Sequence, residues 1–390
     1  MEVYLVGGAV RDKRLGLPVQ ERDWVVVGAT AKDLLALGYT PVGKDFPVFL
    51  HPETREEYAL ARTERKTGHG YTGFETRADP GITLEEDLLR RDLTINAMAE
   101  TPEGELIDPF NGLEDLNNGV LRHVSAAFSE DPVRILRTAR FAAHFARWGF
   151  HVAHSTNALM RHMVQNGEAS HLVAERVWAE LLKALATQTP TRFFEVLAGC
   201  GALGVLFPEL LPAADHATTE RHGQGTIALP VLEQAVALSE RSTIRFAALA
   251  CDMDKLHPEG QGENALASLC ERYRVPNAFC DLARLAVQQR RRLQAATSLS
   301  AAEVLRLLNS VDAFRRAERF SELLQVCAAD AAASHREFSS DYLLQALAAA
   351  QSVNTAGMQL HGLSGKEIGR ALEQSRIEAI ERLNAQRVPQ

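Results

Sequence analysis

One stretch near the start of the chain decides the fold: Tyr4-Leu5-Val6-Gly7-Gly8-Ala9-Val10-Arg11-Asp12. An apolar strand runs into a glycine pair, and the residues after the pair have the pattern of a helix start. At such a turn the backbone NH groups point outward and the helix dipole favours negative charge, while Arg11 is expected to add a mobile cation. The stretch therefore predicts a phosphate site, and the alternative is a plain turn of the chain.

Two carboxylates stand at the entry to the next strand. Glu21 and Asp23 come just before the apolar, β-branched run from Trp24 to Val27. Residues two apart on a strand point to the same side, so both carboxylates are expected to face the phosphate site. Such a pair suits Mg²⁺, which can activate an attacking hydroxyl and stabilise a leaving pyrophosphate. The unit therefore predicts phosphoryl or nucleotidyl transfer, and the alternative interpretation of the acidic pair is a solvated strand edge.

Length and composition are those of a soluble globular chain. With 390 residues the chain exceeds one ordinary core, so two or three domains are expected. No apolar run approaches the roughly 18 residues of a membrane span, and the chain enters a strand directly, so a cytoplasmic protein without a membrane partner is predicted. The five cysteines are odd in number and widely spaced, which indicates reduced core residues.

The charge distribution combines an acidic whole with local basic clusters. A formal net charge of -8 argues against a protein that coats nucleic acid with its entire surface. Local clusters of lysine and arginine can still bind a phosphate backbone. The clusters are Arg62, Arg65 and Lys66; Arg90-Arg91; the series from Arg134 to Arg147; and Arg290-Arg291-Arg292.

The first part of the chain alternates short strands and short helices, which predicts an α/β domain on one sheet. Strands are expected at 3–6, 24–27, 47–50, 57–61 and 106–107, with a helix at 31–37. The glycine-rich segment 67–80 predicts a mobile loop, which is either an active-site lid or a flexible surface loop. Thr83, with Glu86 three residues later, marks the start of a helix to Ala99, or of two shorter helices that meet near Asp92.

From residue 128 onward the pattern becomes almost wholly helical. Pro132 suits a first helical turn. Three arginines then follow at spacings of three: Arg134, Arg137 and Arg140. Because no carboxylate stands among them, they indicate either an anionic ligand or a solvated surface. Prolines close to residue 210 predict a boundary, with a helical part beyond it.

Taken together, these stretches resemble the bacterial CCA-adding enzymes, the class II tRNA nucleotidyltransferases of the polymerase β superfamily. The matching segments follow one another over the first 210 residues: 5–12, Arg22-Asp23-Trp24, 57–62, 90–97, 108–112, Glu130-Asp131-Pro132-Val133-Arg134 and Glu175-Arg176-Val177-Trp178. Any one motif could arise by chance, whereas the ordered set is far more specific. The resemblance implies an α/β nucleotidyltransferase head with a mixed sheet over residues 1–127. An all-α neck over 128–210 and an all-α body and tail over 211–390 would follow.

The resemblance also implies roles for side chains in the head. Gly8 and Arg11 would hold the triphosphate, and Glu21 and Asp23 would hold the metal ions. The first metal carboxylate is most often Asp in this family, whereas this chain has Glu21. The extra methylene moves the oxygens by about 1 Å, and an uncompensated shift of that size can cost roughly 10²-fold in rate. Local backbone adjustment is expected to absorb it.

Further implied roles concern the incoming nucleotide. Arg91 and Asp92 would contact its sugar and phosphates. Asp131 and Arg134 would pair with the base edge of CTP or ATP, because a carboxylate accepts from an exocyclic amine and a guanidinium donates to ring acceptors. The remaining two implied residues, which would serve the nucleotide or the tRNA end, are Arg137 and Arg140.

A second departure from the family pattern lies beyond residue 210. Related long enzymes carry a histidine-aspartate phosphohydrolase domain there, with a metal site. In this chain Cys251 stands in the histidine place before Asp252, and Ile227 and Arg290 stand in two other ligand places. A metal centre that lacks its imidazoles is not expected. A helical body without phosphohydrolase activity is therefore predicted.

The leading hypothesis is template-independent addition and repair of the 3′-terminal CCA of tRNA, with CTP, ATP and Mg²⁺. The 3′-hydroxyl of the tRNA would attack the α-phosphate and release pyrophosphate, and the helical part would grip tRNA by its shape and backbone charge. One rival is a poly(A) polymerase, which use of CTP would exclude. Another rival is a non-catalytic tRNA-binding descendant, although tRNA binding alone needs no metal or base-pairing groups. The sequence leaves the oligomeric state open.

Overall fold

The computed structural model describes residues 1–42, 48–66, 74–211, 229–258, 260–353 and 364–386. These residues form two compact units, and the chain passes from the first to the second between Pro208 and Glu209. The predicted head, and the predicted neck as far as Pro208, lie in the first unit. The division of this unit near residue 127 stays a prediction.

The first unit carries the strands and nine of the described helices. Its strands are β1 (Glu2–Val6), β2 (Asp23–Val27), β3 (Thr40–Val42), β4 (Val48–Leu50), β5 (Glu57–Leu60), β6 (Arg62–Lys66), β7 (Phe74–Ala78), β8 (Ala99–Glu100), β9 (Leu106–Ile107), β10 (Val120–Leu121) and β11 (His151–Val152). Its α-helices are α1 (Gly8–Arg14), α2 (Ala31–Ala36), α3 (Leu84–Leu89), α4 (Gly112–Asn117), α5 (Val133–Phe145), α6 (His154–Gln165), α7 (Ala174–Leu185), α8 (Thr191–Gly199) and α9 (Ala202–Leu206).

A mixed sheet organises the first unit. Within the described residues, seven strands pair in the order β3-β4-β5-β2-β1-β8-β9. β2 runs antiparallel to β1 and parallel to β5, which confirms the predicted α/β head with a mixed sheet. The register places Val6, at the end of β1, opposite Asp23, at the start of β2. The glycine turn after β1 therefore begins beside Asp23.

Alternation along β2 explains why the sheet is buried on both faces. Val25 packs on one face in a cluster that includes Leu88 of α3. Val26 packs on the other face with Leu34 of α2 and Phe49 of β4. Successive side chains of a strand point to opposite faces, so an unbroken apolar run fits a strand covered on both sides.

The predicted helix from Thr83 begins as expected and ends early. Thr83 accepts from the Glu86 backbone NH, and the Glu86 side chain returns the bond, which confirms the capping box. Of the two alternatives, a single helix to Ala99 is wrong, because α3 ends at Leu89. A separate 3₁₀ turn (Thr94–Asn96) follows, so the interpretation that fits is two shorter helical segments on either side of Asp92. The physical reason is Asp92, whose carboxylate accepts from the Leu93 backbone NH at 2.8 Å and so stabilises a second start.

The predicted loop at 67–80 is also partly wrong. Its last part forms β7, which pairs antiparallel with β6 as a separate hairpin. Residues 67–73, and with them the lid interpretation, lie outside the described residues.

The second unit is helical throughout its described part. Its helices are α10 (Pro230–Leu238), α11 (Ser242–Leu256), α12 (Gly262–Arg272), α13 (Asn277–Gln294), α14 (Ala301–Ser310), α15 (Ala317–Ala333), α16 (Asp341–Ser352) and α17 (Gly365–Gln386). α11 packs against α10, α12, α13 and α15, and its residues from Ile244 to Met253 are buried. Over the described residues, no helix combines the length and apolarity needed to cross a membrane.

Candidate active site

The turn after β1 depends on Gly7. Its φ of +70° lies in the left-handed region, and a Cβ there would stand 2.8 Å from Nη1 of Arg91. The positive φ favours glycine, whereas the contact with Arg91 could be relieved by a shift of that side chain. A Cβ on Gly8 would stand 3.5 Å from the Arg11 guanidinium, which is an ordinary contact. Gly8 lines the site as predicted, whereas the conformational preference for glycine falls on Gly7.

Arg11 is fixed in place, and the prediction of a mobile cation is wrong. The side chain is buried, and Nη1 donates to Oδ1 of Asn96 at 2.6 Å while Nε donates to Asp12 at 2.8 Å. The guanidinium also lies 5.1 Å from the ring centres of Phe141 and Phe145. Its charge is therefore held at the glycine turn without the entropy cost of ordering a long side chain.

Asp23 and Glu21 form the acidic side of the site. The shared-strand prediction is wrong in one respect: β2 begins at Asp23, and Glu21 lies exposed in the irregular segment before it. Although Asp23 keeps contact with solvent, loss of hydration to the surrounding protein raises its pKa; Arg91 opposes the shift and Glu21 adds to it. The two carboxylates are thus close enough to repel, and a divalent cation held between them would relieve that repulsion.

Asp87 is a buried carboxylate that holds Arg90 and Arg91 on the basic side of the site. It is fully buried on α3, accepts from Nη2 of Arg90 at 2.6 Å and from Nη2 of Arg91 at 3.2 Å, and accepts from the backbone NH of Arg62 at 3.3 Å. Burial alone would raise its pKa, but the two guanidinium groups outweigh burial and lower it. Sequence analysis missed this residue, because an acid in the first turn of a helix has an ordinary explanation in the helix dipole.

Asp92 and Arg137 bind each other across the site. Nε of Arg137 donates to Oδ2 of Asp92 at 2.7 Å, and Asn96 donates to Oδ1 of Asp92 at 3.0 Å. Burial opposes ionisation of Asp92, but Arg137 and the hydrogen bonds hold its pKa well below the usual range. Because Asn96 also accepts from Arg11, one polar chain runs from the glycine turn to α5.

Two of the three arginines after Pro132, Arg137 and Arg140, have carboxylate partners. Arg140 donates to Glu180 of α7 at 2.5 Å, and Arg176 of the same helix makes two parallel bonds to Asp131, at 3.0 and 2.7 Å. Arg134 donates to the carbonyl of Ala127 at 3.0 Å. The partners come from other elements, so the local spacing could not predict them. Arg176 is a second site residue that sequence analysis did not assign.

These side chains surround one cleft of the first unit with a volume of about 550 Å³. Its lining residues are Gly7, Gly8, Arg11, Asp23, Arg62, Arg90, Arg91, Asp92, Asn96, Asp131, Val133, Arg134, Arg137, Arg140, Phe141 and Arg176. Every predicted site residue except Glu21 lines this cleft. Eight arginines face three aspartates there, so the cleft is strongly basic within a chain of net charge -8. The arrangement suits a polyanion that carries polar edges.

Family comparisons match two segments of the chain to families named for poly(A) polymerases. Residues 3–122 match the family described as "Poly A polymerase head domain". Residues 149–213 match the family described as "Probable RNA and SrmB- binding site of polymerase A". The first match contains the mixed sheet except for Glu2, the first residue of β1.

Relatives that match over the whole chain then narrow the class. A "Multifunctional CCA protein" of Thioalkalivibrio sulfidiphilus is 52% identical, over 99% of this chain and 99% of its own. The protein of that name from Nitrosococcus oceani is also 52% identical, over 97% of this chain and 98% of its own. The chain therefore belongs to the family of the multifunctional CCA proteins, the CCA-adding tRNA nucleotidyltransferases.

Solved structures share the fold at lower identity. A CCA-adding enzyme with ATP is 22% identical with a TM-score of 0.67, and the match covers 97% of this chain and 86% of that one. The Thermotoga maritima CCA-adding enzyme complexed with tRNA is 22% identical with a TM-score of 0.65, over 100% of this chain and 88% of that one. This likeness shows that the chain has the fold of CCA-adding enzymes.

Proposed function

We propose that this chain adds and repairs the 3′-terminal CCA of tRNA from CTP and ATP, with the cleft of the first unit as its active site. One observation carries the assignment of the cleft. The cleft brings the carboxylate of Asp23, at the start of β2, together with Asp131 and Arg134, which lie where α5 begins. A group suited to phosphate chemistry and a pair suited to reading a base therefore share one space.

The triphosphate would lie along the arginines next to the glycine turn. Gly7 and Gly8 allow close approach of the backbone there, and Arg11 and Arg91 supply fixed charge. Fixed cations need no reorganisation when negative charge moves from the α-phosphate to the leaving pyrophosphate. These residues would orient the α-phosphate towards the 3′-hydroxyl of the tRNA.

Glu21 and Asp23 would hold Mg²⁺, because two carboxylates supplemented by phosphate oxygens and water match its preference for oxygen ligands. When bound, the ion would supply charge stabilisation and a more acidic 3′-hydroxyl. In the reaction the 3′-hydroxyl gives its proton to water as its oxygen bonds to the α-phosphorus, the bond from that phosphorus to the bridging oxygen breaks, and pyrophosphate leaves. The position of Glu21 outside the β2 ladder supports the idea that the backbone absorbs its extra methylene.

Base selection would follow from the chemistry shared by cytosine and adenine. Each base presents an exocyclic amine beside an unprotonated ring nitrogen, whereas uracil and guanine present a carbonyl beside an NH. The Asp131 carboxylate would accept from the amine, and Arg134 would donate to the ring nitrogen. Arg176 holds Asp131 by a bidentate pair, so the acceptor would be oriented before the nucleotide arrives. UTP and GTP would place a donor against Arg134 and an acceptor against Asp131.

The finer assignments follow from this function. Arg137 and Arg140 would contact the nucleotide or the tRNA end, and Arg90 and Arg62 would extend the phosphate-binding surface. Action on tRNA fits the cytoplasmic location that the sequence predicts. A poly(A) polymerase is the alternative that the head-domain match by itself leaves open; the whole-chain relatives support the CCA assignment.

The experiment supplies tRNA lacking its terminal CCA with CTP alone, ATP alone or both, and separates the products by length. We expect two additions with CTP alone, none with ATP alone and three with both. A run of adenosines with ATP alone would support the poly(A) alternative. Asp131→Ala should lose the preference for CTP and ATP over UTP and GTP, whereas unchanged selectivity would contradict the base-reading role.

A further inference from the structure

The second unit contains a buried ionic cluster that the proposed function does not use. The Arg290 cluster consists of Asp254 and Lys255 on α11, Arg290 and Gln294 on α13, and Asp330 on α15. These three helices pack against one another. Charged groups from all three helices therefore meet around Arg290 and Asp330, which are buried. Burial of charge is costly unless the charges are paired.

Arg290 lies at the centre of the cluster and is only 2% exposed. Nη2 donates to Oδ2 of Asp254 at 2.5 Å, and Nη1 donates to the carbonyl of Val287 at 3.0 Å. Nε lies 3.7 Å from the Asp330 carboxylate. The guanidinium thus links α11 and α15 through the helix that carries it.

The surrounding chain leaves space for this arrangement. A Cβ on Gly262, at the start of α12, would stand 2.1 Å from Oδ1 of Asp254, so the glycine makes room for the carboxylate. The basic triplet noted in the sequence is divided by the fold. Arg291 and Arg292 are exposed, whereas Arg290 is buried and cannot contact RNA.

Asp330 is the second anchor and is 1% exposed. Nζ of Lys255 lies 2.8 Å from its carboxylate, and Nη2 of Arg336 lies 3.2 Å away. Nε2 of Gln294 donates to it at 2.9 Å. Asp330 is therefore neutralised by side chains of this chain alone.

The cluster stands where the resemblance to long CCA-adding enzymes implies a phosphohydrolase metal site, and the residues present do not fit one. Cys251 is fully buried in the place of the histidine. The neighbouring Asp252 accepts from the backbone NH groups of Val231 at 3.0 Å and Leu232 at 2.9 Å, so it caps α10. Across the described ranges, no group of three or more His, Cys, Asp or Glu side chains could hold a metal ion. The third ligand place, Ile227, lies outside the described residues.

We propose that Arg290 has taken over the structural role of the missing metal: its guanidinium holds α11, α13 and α15 together and makes the second unit a metal-independent scaffold. A divalent cation entering the cluster would meet Arg290, Lys255 and Arg336, whose three positive charges already exceed the two negative charges of Asp254 and Asp330. The inference concerns the second unit and does not depend on the proposed function of the first.

The test compares three variants on the same helix by thermal unfolding. Arg290→Met removes the charge and keeps a long side chain, Arg290→Lys keeps one charge, and Arg292→Met is the exposed control. We expect Arg290→Met to lower the Tm by roughly 10 °C, since loss of one partner from a buried pair is strongly destabilising. Arg290→Lys should fall in between, and Arg292→Met should stay within about 2 °C. Arg290→Met melting like Arg292→Met would overturn the proposal.

A second measurement remains decisive if Arg290→Met does not fold. It uses Asp23→Asn, in which the carboxylate pair of the first unit is broken, and adds EDTA, Mg²⁺ or Mn²⁺ to the otherwise intact chain. The Tm should not change with any of them, and equilibrium dialysis should find no Mn²⁺ retained. A Tm that EDTA lowers, or Mn²⁺ retained by Asp23→Asn but lost on further change of Asp254 to Asn, would contradict the proposal. Addition of CCA by Arg290→Met at 25 °C should match the unmodified chain.

Discussion

Replacing Asp87 with Asn tests whether a residue that never touches the nucleotide sets the charge of the cleft. Asp87 is fully buried, and its carboxylate accepts from both Arg90 and Arg91 as well as from the backbone NH of Arg62. Asn has the same shape but one acceptor oxygen and no charge. At least one guanidinium therefore loses its carboxylate partner at position 87, although Arg90 keeps its bond to the Arg62 carbonyl.

The expected size of the effect follows from the geometry. Removal of one partner from a buried ion pair costs about 3–5 kcal/mol. The side chains of Arg90 and Arg91 are 15% and 20% exposed, and Asn retains one acceptor, so about 2–4 kcal/mol is expected. For a unit of this size that is roughly 5–15 °C in Tm. A guanidinium displaced by about 1 Å can cost roughly 10²-fold in kcat/KM.

The assay is steady-state incorporation of CTP and of ATP below the Tm of the variant. The triphosphate is common to both nucleotides, so both KM values should rise by a similar factor. Contact with the triphosphate exists in the ground state and in the transition state, so most of the loss should appear in KM. Selectivity for C and A should not change, because Asp131 and Arg134 lie elsewhere in the cleft.

Asp115→Asn is the matched control. Asp115 is also buried and pairs with Arg122 at 3.0 Å while accepting from Thr94 at 2.7 Å, and none of the three lines the cleft. This variant should lose stability without the rise in KM. The reasoning is refuted if Asp87→Asn keeps both KM values, or if the two variants raise KM equally.

Three further changes test other parts of the site. Glu21→Asp should change kcat/KM by less than roughly 10²-fold, whereas Glu21→Gln should lose most activity in the same assay. A double-mutant cycle of Asp131→Asn and Arg176→Gln, measured on kcat/KM, should show a coupling of about 1–3 kcal/mol, because the pair is bidentate and partly buried. Asp92→Asn should destabilise the chain at neutral pH in denaturant titrations. Because folding lowers the pKa of Asp92, this deficit should persist above the unfolded pKa of about 3.9 and shrink as pH falls below it.

Each contrary result would show which assigned role is wrong. Activity that appears only in Glu21→Asp would mean that the acidic pair of this chain is disabled. Additive effects of Asp131→Asn and Arg176→Gln would mean that Arg176 does not orient the base reader. A deficit of Asp92→Asn that grows towards acid pH would mean that Asp92 is not ionised in the folded chain.

Local sequence patterns predicted the head well, because its strands and helix caps depend on residues that are close in sequence. The β-branched run at 24–27 gave β2 within one residue, and Thr83 with Glu86 gave the start of α3. The hairpin strand β7 was missed because glycine and polar residues precede it. Its partner β6 lies across a segment whose path the sequence pattern does not define.

The resemblance predicted which residues line the cleft. The ion pairs among these residues could not be predicted from the sequence. Arg137 and Asp92 lie 45 residues apart, as do Arg176 and Asp131, so neither pair is visible in a spacing rule. A stripe of arginines without local carboxylates indicated a ligand or a solvated surface, whereas the fold brings Glu180 to Arg140 from α7. Long-range ion pairs arise only when the elements pack.

The most direct measurement is single-turnover incorporation of labelled CTP and ATP into tRNA lacking its terminal CCA, for the unmodified chain and for Asp23→Asn. The account predicts ordered addition of C, C and A by the unmodified chain. For Asp23→Asn, a loss of roughly 10²-fold or more in rate is expected, because one of the two carboxylates that would hold the metal is gone. Absence of incorporation by the unmodified chain, or equal rates for the two proteins, would contradict it.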